Sequence, residues 1–277
     1  MAEVATRNVA GWPVPLAPER WPKADQAIVK ALWHWLFALK TEARTQRLDE
    51  KGAQVLAEQI QAHASTTGLG LNVDTPYRQL VNDKRIPLQE LVQQARVAWR
   101  WHGAQRFQQT RDLNAFADAW GGSQARMLAS VAGVNTRWTQ TALREWGRAY
   151  FFTSRLLTLD DDLARDQCFF ALDEMERQGV SIELLRRDRD HADVNTLLWK
   201  TVIRAQDAYA QALPLVYDVE GGLQRALKES WLGGLEALRQ VQKQGYRLEE
   251  GILPLPITVK AQVWFQARFA RTTFKRR

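Results

Sequence analysis

The residues in this chain best suited to chemistry are three consecutive carboxylates, Asp160, Asp161 and Asp162. They end a segment rich in apolar and aromatic residues, Trp146 to Leu159. Adjacent carboxylates repel one another unless a cation or a basic partner offsets them. Hard cations such as Mg²⁺ bind through one or two carboxylates together with substrate phosphates. An acidic cluster closing an apolar helix is therefore suited to hold a Mg²⁺–diphosphate head above a greasy cavity. Standing alone, such a cluster is more simply a solvated helix end.

Other site chemistries are absent from the sequence. It has no GxGxxG following a strand, no GxxxxGK[ST] phosphate loop and no HExxH. The four histidines, His34, His63, His102 and His191, lie far apart without ligand spacing, and the single cysteine, Cys168, excludes an internal disulfide and any CxxC zinc site.

The elements that must position the carboxylates read as helices. Apolar residues Ile28, Leu32, Trp35, Leu36 and Leu39 mark one helical face within Ala27 to Gln46, and a further helix runs from Gly52 to His63. Then comes a polar, glycine-rich loop. Pro87 to Arg100 opens with proline in a first turn, and Asp112 to Ala132 is broken by Gly133. A long helix from Thr136 or Thr139 leads to the aspartates. Short helices at Asp173 to Gln178 and from Ser181 precede long ones at Asn195 to Val216, Gly221 to Gly245 and Thr258 to Phe274. No stretch sustains period-two alternation, so the expected fold is all-α and single-domain.

Composition narrows the partners. Twelve tryptophans and ten phenylalanines supply large rings for a core or a wide apolar cavity. The net charge of +7 is concentrated in the tail, where Lys260, Arg268, Arg271, Lys275, Arg276 and Arg277 have no acidic neighbours. Basic charge confined to a tail, and not spread over a folded reading surface, argues against nucleic acid. Alternation of those residues with Trp264, Phe265, Phe269 and Phe274 suits a helix lying on an anionic membrane surface; the other expectation is a core helix with a solvated end. The opening residues lack a secretory pattern and no apolar run reaches the about 20 residues of a membrane span. The expected location is cytoplasmic, with peripheral contact at the inner membrane surface.

The order of motifs resembles the squalene/phytoene synthase family. That family's second aspartate-rich region reads in outline LGxAxQLTNxLRDxxEDxxRGRxYLP, then GVS. Here Gly147, Ala149, Thr153, Leu156, Asp161, Asp162 and Arg165 keep it, Phe169 stands for the tyrosine, and Gly179-Val180-Ser181 is the GVS. The blocks from Ile86 to Ser123 and from Trp231 to Leu248 are similar to the family's flanking helices, and Pro256 with Lys260 to its closing stretch. The resemblance implies an isoprenoid-synthase-type bundle around a central apolar cavity. It divides the chain into an extended arm (1–22), the helical domain (23–262) and a basic, aromatic tail (263–277).

Departures from the family pattern bear on activity. The first aspartate-rich motif, DDxxD after an aromatic helix, corresponds to Lys40-Thr41-Glu42-Ala43-Arg44-Thr45-Gln46 after Trp35-Leu36-Phe37. Glu42 is the one acid left there, and Arg44 adds positive charge. In the second motif Thr158 replaces the leading aspartate, Leu157 an arginine, Phe151 a glutamine and Ser154 an asparagine. Family chemistry ionises an allylic diphosphate whose leaving group is stabilised by Mg²⁺ between the two motifs, so these losses predict a non-catalytic or atypical member. Such a chain would bind an isoprenoid or other long apolar ligand, or serve as a protein-partner or assembly subunit. The enzymatic alternative is a Mg²⁺-dependent prenyltransferase condensing two prenyl diphosphates. Glu42, Asp161 and Asp162 would then hold the metal, the two aspartates being catalytic. Lys40, Arg44 and Arg165 would hold the diphosphate, with Phe37, Phe151 and Phe152 along the chain. Mg²⁺ is expected only in that case, and otherwise no cofactor. A ligand-free helical interaction protein is the third reading, told apart by a filled core beside Phe151 and Phe152.

Overall fold

The computed structural model describes residues 21–62, 77–78, 80, 85–102, 106–134, 139–219, 221–246 and 257–269. Most of the expected arm and the loop after His63 lie outside these residues. The described residues contain twelve α-helices and no strand, apart from one isolated bridge between Phe107 and Ala171.

Helix α1 (Lys23–Arg44) buries Ile28, Leu32, Trp35, Leu36 and Leu39, the face that its apolar spacing predicts. Helix α2 (Glu50–Gln61) starts at Asp49, whose carboxylate accepts from the Gly52 amide at 2.7 Å, leaving one fewer orphan donor. Helix α3 (Leu88–Ala98) packs on α2 and runs into a 3₁₀ turn at Trp99–Trp101.

The segment expected as one helix up to Ala132 is interrupted. Helix α4 (Thr110–Ala117) passes through a π turn, Asp118–Gly122, into α5 (Ser123–Val131). A π turn leaves carbonyls without their usual i→i−4 partners. The buried Gln94 amide supplies a donor, reaching the Trp120 carbonyl at 2.6 Å and that of Ala119 at 3.2 Å. Gly133 ends the run at φ +74°, a conformation that glycine adopts without steric cost.

Helix α6 (Thr139–Leu157) is the central element, packed along α10 (Ala192–Asp218) and against the π turn. Gly121 and Gly147 lie backbone to backbone at that crossing. Three short helices, α7 (Leu159–Ala164), α8 (Leu172–Arg177) and α9 (Ile182–Arg187), link α6 to α10. Helices α11 (Gly221–Lys243) and α12 (Ile257–Phe269) follow, α12 resting on α11.

The rings predicted from composition fill much of the interior. Trp101, Phe107, Phe116, Trp120, Phe151 and Phe169 contact one another, with Trp101 centred 5.0 Å from Phe169 and 5.2 Å from Trp120. Tilted and edge-on arrangements prevail, as ring quadrupoles favour. No described helix is long and apolar enough to cross a membrane.

Candidate functional site

The site forms where the end of α1 meets the end of α6. Lys40 and Arg44 are one turn apart and share a face of α1. Arg155 and Thr158 come from the last turn of α6 and the residue after it, Asp162 from α7, and Gln167 from the chain beyond α7.

Asp162 is 2% exposed and fully engaged. Its Oδ2 accepts from Arg155 Nη1 at 2.6 Å and from the Thr158 hydroxyl at 2.9 Å, and its Oδ1 accepts from Arg44 Nη2 at 3.2 Å. Arg44 also donates to Gln167 Oε1 at 2.8 Å, and Gln167 in turn donates to the Trp101 carbonyl. Thr158, which replaces the family's leading aspartate, has become a donor to the carboxylate with which that aspartate would share a metal.

The positive charge exceeds what Asp162 neutralises. Lys40 Nζ lies 4.0 Å from the centroid of the Trp101 ring, the Arg155 guanidinium carbon 4.8 Å and that of Arg44 5.5 Å. Three cations thus surround one indole and share one carboxylate. The negative face of the ring offsets part of their repulsion. Dehydration, followed by the charges of Arg155 and Arg44, holds the Lys40 ammonium well below its ordinary range. Arg44 is lowered to about 10, chiefly by burial, with Asp162 opposing. Among the described residues the Nε atoms of Arg44 and Arg155 have no hydrogen-bond partner.

Beside this cluster lies a cavity of about 260 Å³. Lys40 and Arg155 line its charged end. Trp33, Leu36 and Phe37 of α1, with Trp101, Trp120 and Phe151, form its apolar walls, and Gly121, Gln124, Tyr150 and Ser154 complete it. Phe37 is half exposed at its rim.

The sequence-predicted site residues therefore divide. Lys40, Arg44 and Asp162 come together, and Phe37 and Phe151 line the adjoining cavity. Phe152 is buried outside that lining, beneath the Arg204 guanidinium at 5.3 Å. Asp161 is exposed, its carbonyl accepting from the exposed Arg165 at 2.9 Å. Glu42 lies two residues from both Lys40 and Arg44, which turns it to the far side of α1; it is buried there, 3.6 Å from Arg47. Asp160 pairs with Arg189 at 2.6 Å.

These positions do not suit Mg²⁺, which takes near-octahedral oxygen ligands at about 2.0–2.1 Å. Asp162 would first have to give up two guanidinium groups, and the other acids face elsewhere. Among the described residues no three acidic, histidine or cysteine side chains cluster as metal ligands do.

Sequence reasoning missed Arg155, Trp101, Gln167, Gln124 and Tyr150. Arg155 occupies a position that the motif outline leaves unspecified, and only its seven-residue separation from Asp162, two helical turns, hinted at a shared face. Gln167 stands where the outline has the second arginine of RGR, a departure that motif comparison could have found, whereas Trp101 carries no local signal, its role depending on long-range packing.

Comparison with known proteins agrees with this architecture. The family model for squalene/phytoene synthase matches residues 35–262. A dehydrosqualene synthase crystallised in complex with a ligand superposes with a TM-score of 0.76 at 18% identity, over 91% of this chain and 89% of its own. Squalene synthase HpnC from Alicyclobacillus acidocaldarius gives 0.67 at 16% identity, over 83% and 88%. YisP from Bacillus subtilis gives 0.58 at 14% identity, over 87% and 95%. Among curated protein sequences none matches the chain significantly. The all-α bundle is thus the isoprenoid synthase fold, and the chain belongs to the squalene/phytoene synthase family.

Proposed function

We propose that this protein binds an isoprenoid or similar anion-headed apolar ligand without turning it over, using basic side chains where an active relative would use Mg²⁺. The observation that carries this reading is the saturation of Asp162 by Arg44, Arg155 and Thr158. A carboxylate held by two guanidinium groups is a poor metal ligand, whereas the surplus charge on Lys40, Arg44 and Arg155 favours an anion. Arginine suits phosphate oxygens because its planar donors can bind in pairs.

Cavity size supports the same reading. At about 260 Å³ it falls just under the about 300 Å³ of ordinary small-ligand sites. Residues 23–262 would form this binding unit.

The test is turnover by the purified full-length protein. With farnesyl or geranylgeranyl diphosphate and Mg²⁺, no diphosphate release and no condensed hydrocarbon are expected. Mg²⁺-dependent product formation would make the protein a prenyltransferase and overturn the proposal.

We further propose that residues 263–277 contact an anionic membrane. Trp264 and Phe265 are 42% and 59% exposed on α12, and Arg268 stacks over Trp264 at 5.2 Å. Basic residues near an anionic surface contribute about 1 kcal/mol each. Deleting residues 271–277, which include four of them, should lower co-sedimentation with phosphatidylglycerol vesicles at least about tenfold. Unchanged co-sedimentation would remove the membrane role.

A further inference from the structure

The apolar end of the cavity is not wholly apolar. Gln124 is 6% exposed and Tyr150 is half-buried, and both face the cavity. Among the described residues neither the Gln124 amide nor the Tyr150 hydroxyl has a hydrogen-bond partner. Dehydration, opposed by the charge of Arg155, also raises the Tyr150 phenol above its ordinary range, so it stays a neutral donor.

Helix geometry places Gln124 farthest from the cationic end, with Tyr150 between it and Arg155. At about 1.5 Å per residue, Tyr150 lies roughly 7 Å and Gly147 roughly 12 Å before Arg155 along α6. A side chain at Gly121 would meet Gly147 and one at Gly122 would meet Arg144. Helix α5 therefore leads away from Arg155, and Gln124 lies beyond Gly121 in that direction. On the facing wall, Trp33 precedes Lys40 by seven residues, roughly 10 Å. The cavity thus has a cationic end, aromatic sides, and neutral hydrogen-bonding groups at Tyr150 and, farther from Arg155, at Gln124.

A plain hydrocarbon terminus would fit this shape poorly. It would bury the Gln124 amide and the Tyr150 hydroxyl against carbon and leave them unpaired, a substantial penalty for polar groups removed from water. A site built to hydrogen-bond a hydroxyl discriminates strongly against an analogue that lacks it.

We propose that the ligand of this cavity is polar at both ends. An anionic head lies at Lys40 and Arg155, a short apolar stem runs along the aromatic walls, and a terminal hydroxyl or carbonyl exchanges hydrogen bonds with Gln124 and Tyr150. This rests on the reading of the cavity as an anion-headed ligand site and narrows the ligand class to oxygen-terminated chains.

The probes are geranyl phosphate and its terminally hydroxylated analogue, titrated into the full-length protein with tryptophan fluorescence as the readout. The hydroxylated probe should bind at least about tenfold more tightly. Tyr150→Phe, which removes one oxygen, should shrink that ratio, and Gln124→Leu combined with it should abolish or invert it. Equal affinity for the two probes, or preference for the plain chain, in the wild-type protein would overturn the two-ended ligand while leaving the anion site intact. If neither probe binds, both readings fall.

Discussion

Replacing Asp162 with alanine is expected to cost about 3–5 kcal/mol of folding stability, the range for breaking a buried ion pair by removing one partner. Among the described residues the carboxylate is the one that bridges Arg44 and Arg155, at 3.2 and 2.6 Å. Without it, two guanidinium groups and the nearby Lys40 would share a largely dehydrated space. Asp161→Ala, at an exposed position one residue away, should change stability by no more than about 0.5 kcal/mol. Urea unfolding of the two variants separates the accounts. A metal ligand in a solvated active site would lose activity on substitution with little effect on the unfolding midpoint. An ion-pair keystone does the reverse. Matching midpoints for Asp161→Ala and Asp162→Ala would show that the guanidinium pairs contribute nothing.

Gly147→Ala should be comparably damaging for a steric reason. A Cβ built there would stand 2.5 Å from the Gly122 nitrogen and closer still to the Gly121 carbonyl. Those are backbone atoms of a π turn in which Gln94 already holds the neighbouring Ala119 and Trp120 carbonyls, so they have little room to retreat. Overpacking typically costs about 1–3 kcal/mol, occasionally more, and a clash with backbone on both sides belongs at or above the top of that range. Because Gly121 and Trp120 line the cavity, the variant should also bind amphiphiles more weakly if it folds. A thermal melt within a few degrees of the wild type would contradict the close crossing of α4–α5 with α6.

Much of the bundle was legible in the sequence because helices announce themselves locally. The buried stripe of α1, the Gly133 and Gly179 stops and the long α10 and α11 follow from apolar spacing and turn residues. The π turn at Asp118–Gly122 was not legible. Its residues are ordinary for a helix, and the Gln94 that satisfies it lies 25 or 26 positions away. The same limit applies to the site. Motif order located Asp162, Lys40 and Arg44, but Arg44 and Asp162 are 118 residues apart, and no spacing rule reports that they pair. Glu42 illustrates the converse. Its residue type suits a metal ligand, yet its helical phase turns it from the face that Lys40 and Arg44 share. Gln124 and Tyr150 read as routine helix residues until the fold turns both into one cavity.

Substituting basic side chains for a metal has a direct thermodynamic signature, because it removes the requirement of head-group binding for divalent cations. The most direct measurement is calorimetric titration of farnesyl diphosphate into the full-length protein, once in excess EDTA and once in Mg²⁺. Anchoring by Lys40, Arg44 and Arg155 predicts binding in EDTA at least as tight as in Mg²⁺, which competes for the same diphosphate oxygens. Binding that disappears in EDTA and returns with Mg²⁺ would contradict it.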